Sequence, residues 1–458
     1  MDDKTSFPQQ LARRDSDRLR RYREHLDFYN GRQWPGPVRR WERRLTFNYA
    51  KVVVEKTTSY LMSEMDWTAE PWEATPEGQE RARQVEITLA QVYEQNNLAQ
   101  LDFDTELDTA ILGDGCYKVT WDAAEGRVRV TAPDIQGIYA WWTGDDLSRV
   151  WRVASRYTLS DEEAETLYGR LPTDVARQQG GPGYQAGRLG ARKERTVTEV
   201  WTDADFQLWL DNALLETKPN PYGFIPFVIY PNLREPKQFW GVSDLLPLIE
   251  PSRELNRAFT QLSAILELSG NPIAVLENVE DAQDIAVQPG AVWEVPERAR
   301  AYLLDLLQGG GVQLHASYID LLYRTLYDLG ETPRTSFGDN QQALSGVALE
   351  MELHPLLQKV KRKRLIRGAA YRRRNEMILR ILEQKTGTRF GPVRLGVHWG
   401  PVLPQDISRL VADETALVAA GIHSRRRAAD LLGVPDPDAE WARWREEEGT
   451  QEASRVEH

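Results

Sequence analysis

The chain has 458 residues, 41% of them hydrophobic and 28% charged, the composition of a folded protein too long for one simple core, and it predicts roughly three domains or subdomains. Its formal charge of −12 repels nucleic acid on average, so any DNA contact is expected to be local or loose. One cysteine, Cys116, excludes a disulfide framework and a cysteine zinc cage. The polar, Arg-rich opening over 1–23 and the lack of any run of about 18 apolar residues give neither a signal peptide nor a membrane span, which predicts a soluble cytoplasmic protein.

In chain order, charge alternates with apolar residues at helical spacing over 14–30 (Leu19, Tyr22, Leu26, Tyr29), and the pattern stops at Asn30-Gly31. A second helix follows Asn48 and is broken by Trp67 and Pro71. Others are predicted over 77–95 and from Leu101 to the Gly113-Asp114-Gly115 turn. From Cys116 the period changes to two: Tyr117, Val119 and Trp121 answer Val128 and Val130 across a turn at Glu125-Gly126, a β-hairpin. Strands are expected over 138–142, 150–157, 196–201 and 206–210, with a mobile Gly-rich loop over 178–189 and a Pro-rich extended run over 218–236.

Ser243 is positioned as the N-cap of a helix of about six to eight turns carrying Leu245, Leu248, Leu255, Phe259, Leu262 and Leu266. A compact insert follows, with short strands over 273–276 and 291–295, then a Gly309–Gly311 hinge and a helix over 312–329. The polar segment 330–344 reads as a loop outside the core. Ser345 caps a helix of roughly forty residues, far beyond the usual ~12, with an expected kink at Pro355. A strand over 393–399 and three short helices, over 406–420, 425–432 and 438–448, complete the chain.

A search for chemistry finds no phosphate loop, dinucleotide fingerprint, zinc-protease motif or nucleophile elbow. The six histidines (His25, His315, His354, His398, His423, His458) are dispersed, with no pair at metal-ligand spacing, so no metal site and no cofactor are expected. Asp102, Asp104, Glu106 and Asp108 read as a solvated helix surface rather than an acid/base or magnesium cluster. The basic run Lys359, Lys361, Arg362, Lys363, Arg364, Arg367, Arg372, Arg373, Arg374 has two readings. One is phosphate contact; the favoured one is ion pairing with acidic groups of the same or a neighbouring subunit. Leu365, Ile366, Ala369, Ala370 and Met377 read as a stripe packed on protein.

Phe28-Tyr29-Asn30-Gly31-Arg32-Gln33-Trp34, then Asn48-Tyr49 and the Val52–Thr57 segment, resemble the N-terminal signature of the portal family of long-tailed bacteriophages. Three later segments continue the resemblance in the family's order. They are Trp240-Gly241-Val242-Ser243-Asp244 with Leu255-Asn256, Ser345-Gly346-Val347-Ala348-Leu349 with Pro355-Leu356, and Leu403-Pro404-Gln405-Asp406 leading to Ala420-Gly421-Ile422-His423-Ser424.

The resemblance implies an α+β portal-protein fold with this organisation: wing 1–240, stem helix 241–268, clip 269–308, stem helix 309–330, tunnel loop 331–344, long kinked wing helix and return strand 345–402, and a helical crown 403–458. It implies a non-enzymatic ring of about twelve identical subunits at one vertex of the virion capsid, assembled in the host cytoplasm. DNA would be packaged, retained and ejected through it, and the tail attached to it. The implied partners are double-stranded DNA in the channel, the terminase large subunit, the major capsid and scaffolding proteins, and a head-to-tail adaptor; no membrane is implied. Asp339, Asn340, Gln341 and Gln342 would lie on the tunnel loop, where amides can touch phosphates without trapping a sliding polyanion. Trp293, Glu294 and Glu297 would be clip contacts to partners. The alternative is another oligomeric virion protein, such as an adaptor.

Overall fold

The computed structural model describes residues 7–40, 42–63, 65–73, 75–168, 194–270, 273–277, 298, 300–304, 311–337, 346–403, 407–434, 440–441 and 443–445. These fall in two compact units, Met1–Trp399 and Gly400–His458.

The first unit opens with helices α1 (Phe7–Arg14), α2 (Ser16–Tyr29) and α3 (Tyr49–Leu61). Asn48 caps α3 by accepting from the Lys51 N–H at 3.3 Å. The stretch read as a helix breaker, around Trp67 and Pro71, is instead strand β1 (Met65–Pro71). Its partner is β12 (Val393–Trp399), antiparallel with Met65 opposite Trp399. A strand completed from more than three hundred residues away leaves little local pattern.

Helices α4 (Pro76–Gln95) and α5 (Leu98–Leu112) follow, the latter closed by Gly113 at φ 109°, where a side chain would be strained. The expected hairpin is β2 (Asp114–Asp122) and β3 (Arg127–Thr131). Strand β9 (Phe227–Pro231), inside the Pro-rich run, adds to β2 and makes a three-stranded sheet in the order β3-β2-β9. A five-stranded antiparallel sheet, β4-β5-β6-β7-β8, is formed by Ile138–Thr143, Asp146–Ser160, Glu194–Trp201, Asp205–Leu210 and Ala213–Pro219. Helix α6 (Asp161–Tyr168) lies between β5 and β6 in sequence.

The expected Ser243-capped helix begins later than the sequence pattern indicates. A 3-10 turn at Leu246–Leu248, containing Pro247, precedes α7 (Ile249–Gly270). It pairs with α8 (Gly311–Gly330) through Leu255, Ala258 and Ile319. Beyond α7, β10 (Ile273–Glu277) pairs with β11 (Arg300–Leu304); the strand expected over 291–295, the Gly-rich loop 178–189 and Gly309-Gly310 lie outside the described residues. Helix α9 (Gly346–Thr386) is 41 residues long and runs through Pro355. The main core gathers residues from α2 to α5, the sheets, and the later part of α9, including Val53, Leu89, Tyr117, Tyr230, Leu248, Tyr371 and Ile378.

The second unit contains α10 (Ile407–Ala419) and α11 (Arg425–Leu431). Residues 440–441 and 443–445 are also helical, with Trp441 stacked on Trp444 at 4.8 Å. No helix among the described residues is long and apolar enough to cross a membrane.

Candidate functional site

Two sets of residues singled out from the sequence, Asp339, Asn340, Gln341 and Gln342 on one hand and Trp293, Glu294 and Glu297 on the other, lie outside the described residues. The described residues build a joint at the base of the α7/α8 hairpin, and most of the family-like motifs meet in it.

Each residue of Trp240-Gly241-Val242-Ser243-Asp244 has a contact that explains it. The Arg18 guanidinium lies 3.9 Å from the Trp240 ring centroid, a cation–π contact. Gly241 passes so close to α5 that a Cβ there would stand 2.4 Å from the Gly113 carbonyl oxygen. Its N–H donates to Asp114 Oδ1 at 2.7 Å. Val242 bridges to Leu233. Ser243 Oγ donates to the Ile111 carbonyl at 2.5 Å and accepts from the Leu245 N–H at 3.0 Å, so it satisfies the open end of α5 as well as capping the next turn. The Asp244 carboxylate is fully buried and receives Lys363 Nζ at 2.5 Å and Lys359 Nζ at 3.5 Å.

A relay of side-chain amides ties the N-terminal motif to α7. Asn48 Nδ2 donates to the Tyr29 carbonyl at 2.7 Å, and Gln33 Nε2 donates to Asn48 Oδ1 at 2.8 Å. Asn256 Nδ2 donates to Gln33 Oε1 at 2.6 Å and its Oδ1 accepts from the Phe47 N–H at 2.8 Å. Side-chain amides, which donate and accept at once, can pass a hydrogen bond along such a line.

The third part is a cationic stripe on α9. Lys359, Lys363, Arg367 and Arg374 share one helix face and are all buried. Lys359 Nζ donates to the Gly330 carbonyl at the end of α8, at 3.0 Å. Arg367 forks onto Glu106 with both bonds at 2.7 Å and also donates to the Asn232 carbonyl and Asn232 Oδ1. Arg374 forks onto Asp102, its Nη2 3.0 Å from Oδ2, and its guanidinium lies 4.5 Å from the Tyr117 ring centroid. Four buried cations thus face three buried carboxylates, with main-chain carbonyls and tyrosine rings taking up the remainder.

This arrangement corrects the reading of Asp102 and Glu106 as solvated. Four residues apart on α5, they point inward as the counterions of Arg374 and Arg367, while Asp104 is exposed. Ion pairing is the right account for part of the basic run: Lys359, Lys363, Arg367 and Arg374 pair as described, and Arg362 pairs with Glu331 at 2.5 Å. Lys361, Arg372 and Arg373 are exposed. The apolar stripe packs only in part, because Ala370 and Met377 are buried but Leu365 and Ala369 are exposed. Nor is all of 330–344 outside the core: Thr332 is buried, its hydroxyl 3.3 Å from that of Thr57.

Burial raises the carboxyl of Asp244, but the two lysine ammonium groups outweigh it and hold that carboxyl well below the usual range. Burial lowers the Lys363 ammonium, with Asp244 and Glu106 opposing. Asp114 differs: burial prevails over its hydrogen bonds from Tyr22 Oη (2.5 Å) and the Gly241 N–H, and moves its pKa up to about 7. The spacing of Asp102 and Glu106 was the available signal for the joint; their burial had none.

Among the described residues no group of three or more His, Cys, Asp or Glu side chains could hold a metal ion. Cys116 is buried and unpaired. A family model described as phage portal protein, SPP1 Gp6-like, matches residues 184–453, more than half of the chain. No curated protein matches it.

Proposed function

Because the chain belongs to the SPP1 Gp6-like phage portal protein family, we propose that it forms a closed homo-oligomeric ring at one capsid vertex and serves as the DNA channel there. The observation that carries this reading is the α7/α8 hairpin, taken as the stem. One side of α8 packs on α7 through Ile319, Leu322 and Tyr323. The other leaves Leu314, Tyr318 and Leu321, at helical spacing, 73%, 41% and 60% exposed. A long apolar stripe in water calls for a neighbour, and in a cyclic assembly each copy supplies one to the next.

On this reading DNA passes through during packaging, retention and ejection, driven by the ATP-dependent terminase, which docks on the outer face of the ring. The chain itself acts as a conduit without catalysis. Capsid, scaffolding and head-to-tail adaptor proteins would hold it from the sides and below. The joint has a mechanical role: it fixes the stem hairpin to α9 and α5, so that force on the stem reaches the body of the subunit through buried ion pairs rather than a flexible link.

Native mass spectrometry of the purified protein, with negative-stain images viewed down the symmetry axis, tests the proposal. Rings of about twelve subunits with a central hole are expected. A monomer or dimer that persists at micromolar concentration would overturn the assembly reading.

A further inference from the structure

Helices α5 and α9 meet through Arg367 on Glu106 and Arg374 on Asp102. An α-helix turns about 100° per residue, so a residue two places away stands on the opposite face. Two places before Lys363, Arg367 and Arg374 on α9 come Lys361, Leu365 and Arg372, and all three are exposed. Two places after Asp102 and Glu106 on α5 come Asp104 and Asp108, also exposed. The two helices are thus joined along their inner faces by ion pairs. Outward, and in opposite directions, α9 presents cations and α5 presents acids.

Each outer face also carries an apolar group. Leu365, 72% exposed, lines a hollow of about 350 Å³ with Ile366 and Ala369, and Arg373 stands at its rim. Between Glu352 and Glu376 the sequence of α9 contains no acid. Lys361, Arg372 and Arg373 have no hydrogen-bond or ion-pair partner among the described residues. On α5, Phe103 is 37% exposed beside Asp104, whose Oδ1 accepts from Gln100 Nε2 at 2.8 Å. Burial, Asp134 and Asp104 raise the Asp108 carboxyl, and no cation among the described residues offsets them.

We propose that the outer face of α9 in one copy docks on the outer face of α5 in the next, with Phe103 entering the hollow at Leu365 and Asp104 and Asp108 meeting Lys361 and Arg372. The apolar centre supplies the contact, and the charges around it choose the partner. Two α9 faces would set cation against cation, so the contact cannot be made between like faces. A contact between two different faces is head to tail, and faces on opposite sides of a subunit let each copy pass it on until the ring closes. Helix α6 also sets acids beside an exposed apolar group, Leu167. Its acids are less free, since Asp161 pairs with Arg195 at 2.7 Å and Glu163 accepts from Ser160 Oγ at 2.8 Å.

This inference rests on the ring reading, and the test separates the two. One variant carries Lys361→Glu with Arg372→Glu, the other Asp104→Lys with Asp108→Lys; all four positions are exposed, and thermal unfolding checks that each variant folds. Native mass spectrometry should show each variant alone with about tenfold fewer rings than wild type, because its two faces now carry the same charge. A 1:1 mixture should restore rings in which the variants alternate, since each reversed face then meets its opposite. A Leu365→Cys, Phe103→Cys variant provides a second readout that reverses no charge: its oxidised rings should run as a ladder of linked subunits on a denaturing gel. Variants that form rings as wild type does, a mixture no better than its parts, or rings of the cysteine variant that give no ladder would overturn this contact and leave the ring reading standing. If the wild type forms no rings, both fall.

Discussion

Asp114 shows how one side chain makes stability depend on pH. Its carboxyl is buried beneath Tyr22 and Gly241 and titrates near 7, whereas in an unfolded chain it would titrate near ~4. Between those values the folded protein holds a proton that the unfolded chain has released. Stability from this group is therefore full below the unfolded pKa and is lost as pH rises through about 7. Thermal unfolding followed from about pH 5 to pH 8 should show a midpoint that falls for the wild type and falls less for Asp114→Asn. Equal slopes would mean that the carboxyl stays ionised throughout. Asp244 is just as buried, yet two ammonium groups keep it charged, so the neighbours, and not burial alone, decide the outcome.

Elements are joined here by charge as much as by apolar packing. Helix α9 crosses α5 with Arg367 against Glu106 and Arg374 against Asp102, and it meets the ends of the hairpin through Lys359 and Lys363. Such pairs are poor evidence of net stability, because desolvation offsets much of the attraction, but removing one partner leaves a buried charge alone. Glu106→Gln should therefore lower the thermal midpoint clearly, by the equivalent of about 3–5 kcal/mol. A shift under about 1 kcal/mol would show that Asn232 and the main-chain carbonyls suffice for Arg367. The α9 stripe was legible as a charged run and its favoured ion-pair reading holds for these four residues. The partners were not legible, since an i, i+4 pair of acids has the same sequence pattern whether it faces water or a second helix.

At the scale of the whole molecule the decisive question is which exposed surfaces meet a second copy. Chains at −12 repel one another at long range, so assembly depends on short-range contacts. The α8 stripe, with Leu314 and Leu321 exposed, is one apolar candidate. Leu314→Glu combined with Leu321→Glu should leave the thermal midpoint within about 1 kcal/mol of wild type, because neither side chain is packed within the subunit, and should abolish rings in native mass spectra. Rings that survive both changes would show that the stem stripe is not an interface.

What the sequence determined alone was the course of the chain: helices α3 to α5, the β2/β3 hairpin, the paired helices α7 and α8 around an insert, the length of α9, and the motifs that led to the family. Each depends on hydrophobic period, caps and breakers, which act within a few residues. Only the tertiary structure decided that β1 closes against β12, that β9 is a strand paired with β2, that Pro247 and a committed Ser243 delay α7, and that Asp102, Glu106 and Thr332 are core. These outcomes depend on what packs across from a residue. Whether a charge is solvated or paired, and whether an extended run finds a partner strand, is settled by groups far away in the chain, which local pattern does not record.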